Sequence, residues 1–463
     1  MRLSAPTSLI ALLAAALLTS LLAACGGGHG NAAPPPVGGL SLEPGEGGVT
    51  ITWTPTAGVD YWVYTGQSAT ICKNCGNSPN NWNSLPGAQS RGWASAVTTP
   101  YFFTGTTVQT SLNNGALYSF IMDGRFSGGP GGDATPSVSA TPRLNGERWY
   151  NDGNAIGTGG VTGLAFGAKV NTANNTYDLA GTYLAMGNGG LKYQSTNGLN
   201  WTPITSATDT TNWKSVVYGF PGTNIRKFVG VGTGGTVVYS NDLVNFTSTT
   251  LSSQDLNAIA SSTNLVVTVG NNGSIFRSTD GVNWSAAASV PGSPHLYAVT
   301  YATVPAGGLW VAVGAGGALF VSADGSTWGA VASGTTQDLK GVAAVANSTY
   351  PNGIYSPVVA PVNSYAVVAV GSAGAVTQTT DGYTWTSQSL GSGNLNAIVS
   401  SSALVPTNQF MIVGDGGTAY TSPNGVNWTL RNTGSSNNLT GLIRGYNNQY
   451  LAWAANGRTV YSK

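Results

Sequence analysis

The stretch VTVGNNGSIFRSTDGVNW, Val267–Trp284, decides how the rest of the chain is read. It opens with β-branched residues that end in Val-Gly, the pattern of a strand running into a tight turn. Asn271-Asn272-Gly273 supplies residues that tolerate a left-handed backbone there. A second short strand follows, then the turn signal Ser278-Thr279-Asp280-Gly281, then Trp284. The same order recurs along the chain. Gly187, Gly232, Gly270, Gly314, Gly371 and Gly414 align, with Ala454 in a seventh position. Eight residues after each stands Ser195, Ser240, Ser278, Ser322, Thr379, Ser422 or Ser462. Two further on come Asn197, Asp242, Asp280, Asp324, Asp381 and Asn424, and four beyond those an aromatic, such as Trp201, Phe246 or Trp328. These offsets are constant, whereas the aligned glycines lie from 38 residues apart (Gly232 to Gly270) to 57 (Gly314 to Gly371). Constant offsets inside variable units mean a fixed structural core with loop insertions.

A further apolar strand precedes each unit: Val161–Leu164, Val216-Val217, Leu256–Ile259, Leu296–Val299, Leu339–Val342, Leu395–Ile398 and Leu439–Leu442. Four short strands per repeat of about 40 residues is the pattern of propeller blades. The expected fold class is therefore all-β, with a seven-bladed β-propeller over residues 144–463. The seventh unit stops at Lys463, directly after its third strand, while Glu147-Arg148-Trp149 stands ahead of the first unit. That N-terminal strand is expected to complete the last blade, since closing the ring removes exposed sheet edges. Strands alternate in direction. The Gly-rich turns and the connections between units therefore share one face, and the Ser/Thr-x-Asp/Asn turns share the other.

The Ser-x-Asp-Gly-x-x-Trp turn resembles the Asp-box of sialidase-like propellers, one residue shorter, and the whole unit is similar to the repeats of the photosystem II assembly-factor family. The resemblance implies the fold and a protein client, with nothing that implies photosynthesis. It says little about activity, because propellers host many unrelated functions. Asp242, Asp280, Asp324 and Asp381 are read as structural, since a short carboxylate accepts backbone N–H groups of its own turn. Asn197 and Asn424 keep that acceptor without being able to act as a general base.

The N-terminus reads as an address. Arg2 precedes an apolar stretch from Leu9 to Leu22 that ends in small residues, a secretory signal over residues 1–24 and too short for a comfortable spanning helix. Leu22-Ala23-Ala24-Cys25 resembles the lipobox of bacterial lipoproteins. That implies lipidation at Cys25, attachment to the membrane through the lipid and a place in the cell envelope. By the same resemblance, Gly26 rather than Asp after the Cys implies the outer membrane, facing the periplasm or the surface. Residues 25–36 read as a Gly/Pro-rich tether. Residues 37–143 hold short strands such as Val49–Trp53 and Tyr61–Tyr64. Trp53, the pair Leu112 and Tyr118, and the exit Ala140–Arg143 resemble a small fibronectin type III β-sandwich, in which such a Tyr hydroxyl bonds nearby backbone. The likeness departs between Gly66 and Ser95, where Cys72-Lys73-Asn74-Cys75 lies. One CxxC without a second pair or a nearby His does not make a zinc site. The βαβ setting of a thioredoxin-like motif is missing, so a small-loop disulfide is expected.

Charged residues are 7% of the chain and the net charge is +1, with Arg scattered. That excludes a nucleic-acid partner, which needs clustered Lys and Arg. Glycosidases use two carboxylates flanking the bond, and no Glu follows Glu147. No Gly-x-Ser-x-Gly elbow precedes a helix, and His295 is the one His of the repeats. Binding candidates on the Gly-turn face are Asp255 and Asp338, in the recurring Gln-Asp-Leu of two units, with His295, Asp415 and Trp213. On the other face Tyr350 and Tyr355 lie in a long insertion. The expected role is a non-catalytic binding or assembly module of the cell envelope that presents a propeller face to a protein or glycan, with no cofactor and no metal. A glycoside hydrolase or lyase follows instead if Asp255, Asp338 and Asp415 meet in one cleft. A structural surface protein is the third reading.

Overall fold

A computed structural model describes residues 32–462 except 46, 76–77, 87, 94–100, 104–111, 128, 145, 172–175, 179–180, 205–208, 220–225, 305–306, 346–366, 401–409 and 446–448. Cys25, Tyr350 and Tyr355 lie outside the described residues. The chain divides into two compact units. One holds the described residues up to Pro44 together with Gly48–Pro142, the other Arg143–Lys463 with Gly45–Gly47.

The first unit has two sheets. In one, Tyr118–Phe126 pairs with Ala32–Ala33, Val59–Gly66 and Val138–Ala140, and Gln89–Trp93 extends it beside Val59–Gly66. Ala32 and Ala33, read from sequence as part of the tether, are thus a strand, paired with Arg125 and Gly124. Val37–Gly45, Gly48–Thr54 and Tyr101–Phe103 form the other sheet. The period of two in Val49, Ile51 and Trp53 turns these side chains to one face, where they meet Tyr61, Val63, Phe120 and Met122 in a shared core. The hydroxyl of buried Tyr118 accepts the N–H of Asn113 at 3.2 Å and an amide hydrogen of Gln67 at 2.9 Å. Cys72 and Cys75 are joined by a disulfide.

Among the described residues the second unit holds seven four-stranded antiparallel sheets and one two-stranded ladder, Val170–Asn171 with Thr176–Tyr177. Their first strands are Val161–Gly167, Trp213–Gly219, Leu256–Ser261, Leu296–Val304, Leu339–Ala344, Leu395–Ser400 and Leu439–Arg444. Each contacts the next, and the first also contacts the seventh, so the sheets close into a ring with these strands innermost. Second strands such as Val266–Gly270 and Phe410–Gly414 are buried throughout. They are covered on both faces, which explains their continuous apolar runs. Outermost strands such as Thr247–Thr250 are exposed and written in Thr and Ser.

Adjacent inner strands approach closely, and the sequence provides for it with small residues. Gly163, Ser215, Ala258, Ala298, Gly341, Ala397 and Gly441 stand second after the apolar residue that opens each inner strand. A Cβ on Gly163 would lie 3.0 Å from Ser215 Cα of the next sheet. The Gly-rich turns are equally tight. A Cβ on Gly314 would overlap the carbonyl oxygen of His295, and Gly317 has φ +76° with Thr335 O in the same position.

The seventh sheet is completed by Trp149–Tyr150, which pairs with Tyr461 and Ser462. In the other sheets the Asp-box is a continuous turn. The N–H of Gly325 donates to Ser322 Oγ at 2.8 Å and the Trp328 indole to Gly325 O at 3.2 Å. In the seventh the same turn is assembled from both ends of the unit. Gly146 N–H donates to Ser462 Oγ at 2.8 Å, and the Trp149 indole to Gly146 O at 3.1 Å. The ring rings Tyr150 and Tyr461 stack alongside, 5.1 Å apart.

Candidate functional site

The Gly-turn face is built from two repeated devices, both at the start of the inner strand. The first is a cap. The residue just before the opening apolar side chain accepts a backbone N–H from the turn of the preceding sheet. Asp255 Oδ1 takes the N–H of Gly234 at 2.9 Å, and Asp338 Oδ1 that of Gly316 at 2.8 Å. Asn212 serves Gly189 at 2.9 Å, Asn438 serves Gly416 at 2.9 Å and Asn394 serves Ala373 at 3.4 Å. His295 does so with Nδ1, which accepts the N–H of Asn272 at 3.4 Å. All six donors have positive φ, between 51° and 65°. That conformation leaves the N–H without a partner inside its own turn, and the neighbouring sheet supplies the acceptor.

The second device is a β-bulge. In every sheet the pairing between first and second strands shifts at one residue: Thr162, Lys214, Asn257, Tyr297, Lys340, Asn396 or Thr440. A bulge takes its residue out of the ladder and re-aims the side chain. Three of the seven reach across to the next sheet's opening carbonyl. Thr162 donates to Trp213 O at 2.6 Å, Asn257 to Leu296 O at 2.9 Å and Asn396 to Leu439 O at 3.0 Å. Lys214, Tyr297 and Lys340 do not, and Thr440 donates instead to Trp453 O of its own sheet at 3.4 Å. Lys214 makes no side-chain hydrogen bond or ion pair with the described residues, and Lys340 is 3.4 Å from Asn396 Oδ1. All three are half-buried. Burial, with the Asp338 carboxylate nearby, pushes the Tyr297 hydroxyl up from its ordinary value, so it stays a donor.

The residues singled out from sequence are distributed around this ring. Asp255 caps the junction of the second and third sheets, His295 that of the third and fourth, Asp338 that of the fourth and fifth. Asp415 opens the turn of the sixth sheet and accepts from Asn394 at 2.8 Å and Asn396 at 2.9 Å. The Asn396 amide, against the cost of burial and together with Asn394 and the charge of Lys340, holds its carboxyl below the usual range. Trp213 is not open to a ligand. Its ring is 1% exposed, and its indole donates to Asp209 at 3.0 Å beside the buried Lys192 that pairs with Asp209.

On the opposite face Asp280 accepts the N–H groups of Val282 and Asn283, both at 2.8 Å, and the Asn283 amide at 2.8 Å. Burial opposes ionisation, but these donors outweigh it and hold the carboxyl at about 2. Asp242, Asp324 and Asp381 make the same backbone contacts and are also lowered. Asn197 accepts the equivalent N–H groups of Leu199 and Asn200, both at 2.9 Å.

The bulge residues were missed from sequence. Their signal is a polar side chain between the opening apolar residue and the small residue two places on, in all seven repeats.

A family described as a DUF6242 beta propeller domain matches residues 356–463. No curated protein matches the chain. Among solved structures, virginiamycin B lyase from Staphylococcus aureus is 9% identical with a TM-score of 0.50, covering 68% of this chain and 98% of that one. A chain of the Mitotic Checkpoint Complex is 9% identical with a TM-score of 0.51, covering 69% and 93%. YCF48 bound to D1 peptide is 15% identical with a TM-score of 0.49, covering 68% and 94%. The seven sheets, the family match and the two structures with TM-scores of 0.50 and 0.51 agree on the architecture: the chain is all-β and carries a β-propeller.

Proposed function

We propose that this protein is a non-catalytic binding or assembly module of the cell envelope that docks a protein partner at the Gly-turn mouth of its propeller. One observation carries the reading. Of the seven bulge residues at that mouth, Lys214 and Tyr297 make no side-chain hydrogen bond with the described residues and Lys340 makes one long one, 3.4 Å to Asn396 Oδ1 of the next sheet, so the three bring hydrogen-bond donors to one rim. Rigid scaffolds with uncommitted polar groups at one opening suit recognition. Glycoside hydrolysis generally uses two carboxylates placed around the bond. Asp255 and Asp338 instead accept hydrogen bonds at separate junctions and Asp415 within the sixth sheet, which weighs against the hydrolase or lyase alternative.

In the same reading, Cys25 carries the lipid that holds the chain at the membrane, and the first unit is a fibronectin type III-like spacer. The mixed rim, with acidic caps between the lysines, fits a protein better than a glycan.

The test is co-isolation from envelope extracts with the full-length protein and its K214A/Y297F/K340A variant. Loss of a saturable protein partner in the variant, with unchanged thermal unfolding, supports the reading. Retention of the partner, or capture of a glycan by both forms, contradicts it.

A further inference from the structure

In the first unit the side chain of Asp123 has no exposure at all, on the long strand Tyr118–Phe126. A carboxylate there needs donors. Three side chains supply them. The ammonium of Lys73 pairs with Oδ2 and donates to Gly132 O at 3.2 Å. The Tyr64 hydroxyl donates to Oδ2 at 2.9 Å. Arg125 donates to Oδ1 at 3.4 Å and to the Tyr64 oxygen at 2.8 Å, its guanidinium lying 4.2 Å from the centre of the Trp62 ring. Burial, then the carboxylate beside it, pushes the Tyr64 hydroxyl up to about 12.

Lys73 differs from the other two in its attachment. Tyr64 and Arg125 belong to adjacent strands of the sheet, whereas Lys73 sits in a turn bracketed by Cys72 and Cys75, with Asn74 at φ 59°. That turn is fastened by few hydrogen bonds: Cys72 N–H to Asn80 O at 2.9 Å, Trp82 N–H to Cys72 O at 3.0 Å, Ser78 N–H to Cys75 O at 3.2 Å and Ile71 N–H to Ser137 Oγ at 3.1 Å. A cleft of about 610 Å³ lies beside it, with Ile71–Asn74 on one wall and Gly131–Ser137 on the other. Ile71 is buried against Tyr64 and Ile121, but Cys72 to Cys75 are half-buried or exposed, and a segment of that kind with a cleft alongside opens at low free energy once a crosslink is removed.

We propose that the Cys72–Cys75 disulfide is a redox-operated clasp that holds Lys73 on Asp123, and that reduction by a dithiol frees the Ile71–Cys75 turn and opens the cleft. In the step, a thiolate of the reductant attacks one Sγ, the S–S bond breaks and the other cysteine leaves as a thiolate. The second thiol of the reductant then displaces the first cysteine. Two electrons and two protons pass to Cys72 and Cys75, and the reductant becomes a disulfide. The released turn withdraws the ammonium, and Asp123 retains Tyr64 and Arg125.

Hydrogen-exchange mass spectrometry on the full-length protein, with and without dithiothreitol, tests this. Exchange over Ile71–Cys75 and the strand around Asp123 rises about tenfold on reduction and recovers on reoxidation, with Val266–Gly270 in the propeller unchanged. C72S/C75S matches the reduced protein and ignores dithiothreitol. K73M, its disulfide intact, raises exchange around Asp123. The proposal is overturned if alkylation shows both thiols reduced while exchange is unmoved, if the disulfide resists dithiothreitol in the folded protein, or if K73M exchanges like wild type around Asp123.

Discussion

Gly146 donates its backbone N–H to the hydroxyl of Ser462 at 2.8 Å across 316 positions of sequence. The Ser462 hydroxyl in turn donates to Arg148 O at 2.6 Å. One turn that every other repeat makes locally is here divided between the start and the end of the propeller. The last Asp-box thus doubles as the closure of the ring.

Removing that hydroxyl leaves the buried Gly146 N–H unpaired. S462A is expected to cost about 1–3 kcal/mol. W149A removes a buried indole from the same junction and should cost about 3–5 kcal/mol. Urea unfolding of each variant beside S322A, where the turn is continuous, checks this. The account expects S462A to be at least as destabilising as S322A, because it also loosens the two ends of the propeller.

Asp255 and Asp338 do for their junctions what Asn212 and Asn438 do for theirs. D255N and D338N should therefore leave stability within about 0.5 kcal/mol of wild type, since the acceptor oxygen survives. The alanine variants strand the Gly234 or Gly316 N–H and should lose about 1 kcal/mol each. Thermal melts of the four variants decide it. A large loss in the Asn variants would mean that the charge itself has a role.

The Asp-box carboxyls give the propeller an acid limit. Asp280 is held at about 2, and Asp242, Asp324 and Asp381 are also lowered. A carboxyl depressed in the folded state adds stability above its unfolded pKa of about 3.9, and that stability is lost as pH falls toward the folded value. Urea midpoints should drop between pH 5 and pH 3. Replacing all four by Asn, as Asn197 and Asn424 already stand in two repeats, should flatten that slope.

Anchoring at Cys25 is open to a direct check. C25S should abolish incorporation of labelled fatty acid and move the protein from the membrane fraction to the soluble one. Unchanged labelling or fractionation would remove the lipid anchor from the account.

The all-β class and the four-strand repeat were legible because the offsets among Gly270, Ser278, Asp280 and Trp284 recur without change. The place of Trp149 was legible because the last repeat lacks a fourth strand. Asp255 and Asp338 stood out in the sequence as candidate ligands. Only the structure shows that each carboxylate meets an N–H lying some twenty residues earlier, in another sheet. The bulges at Lys214, Tyr297 and Lys340 were hidden for a similar reason. A bulge is a property of pairing between two strands, so the polar residue that recurs before each small one marks the position without showing that it leaves the ladder. The Lys73–Asp123 pair joins residues 50 apart, with nothing local to mark either as a partner.

The most direct test of the central claim is site-specific photo-crosslinking in intact cells, with the probe placed at 214, 297 or 340 and, for comparison, at exposed Val244 or Tyr383 in the turns of the opposite face. The account predicts a discrete protein adduct from the first three positions and none from the last two. Adducts only from the Asp-box face would contradict it.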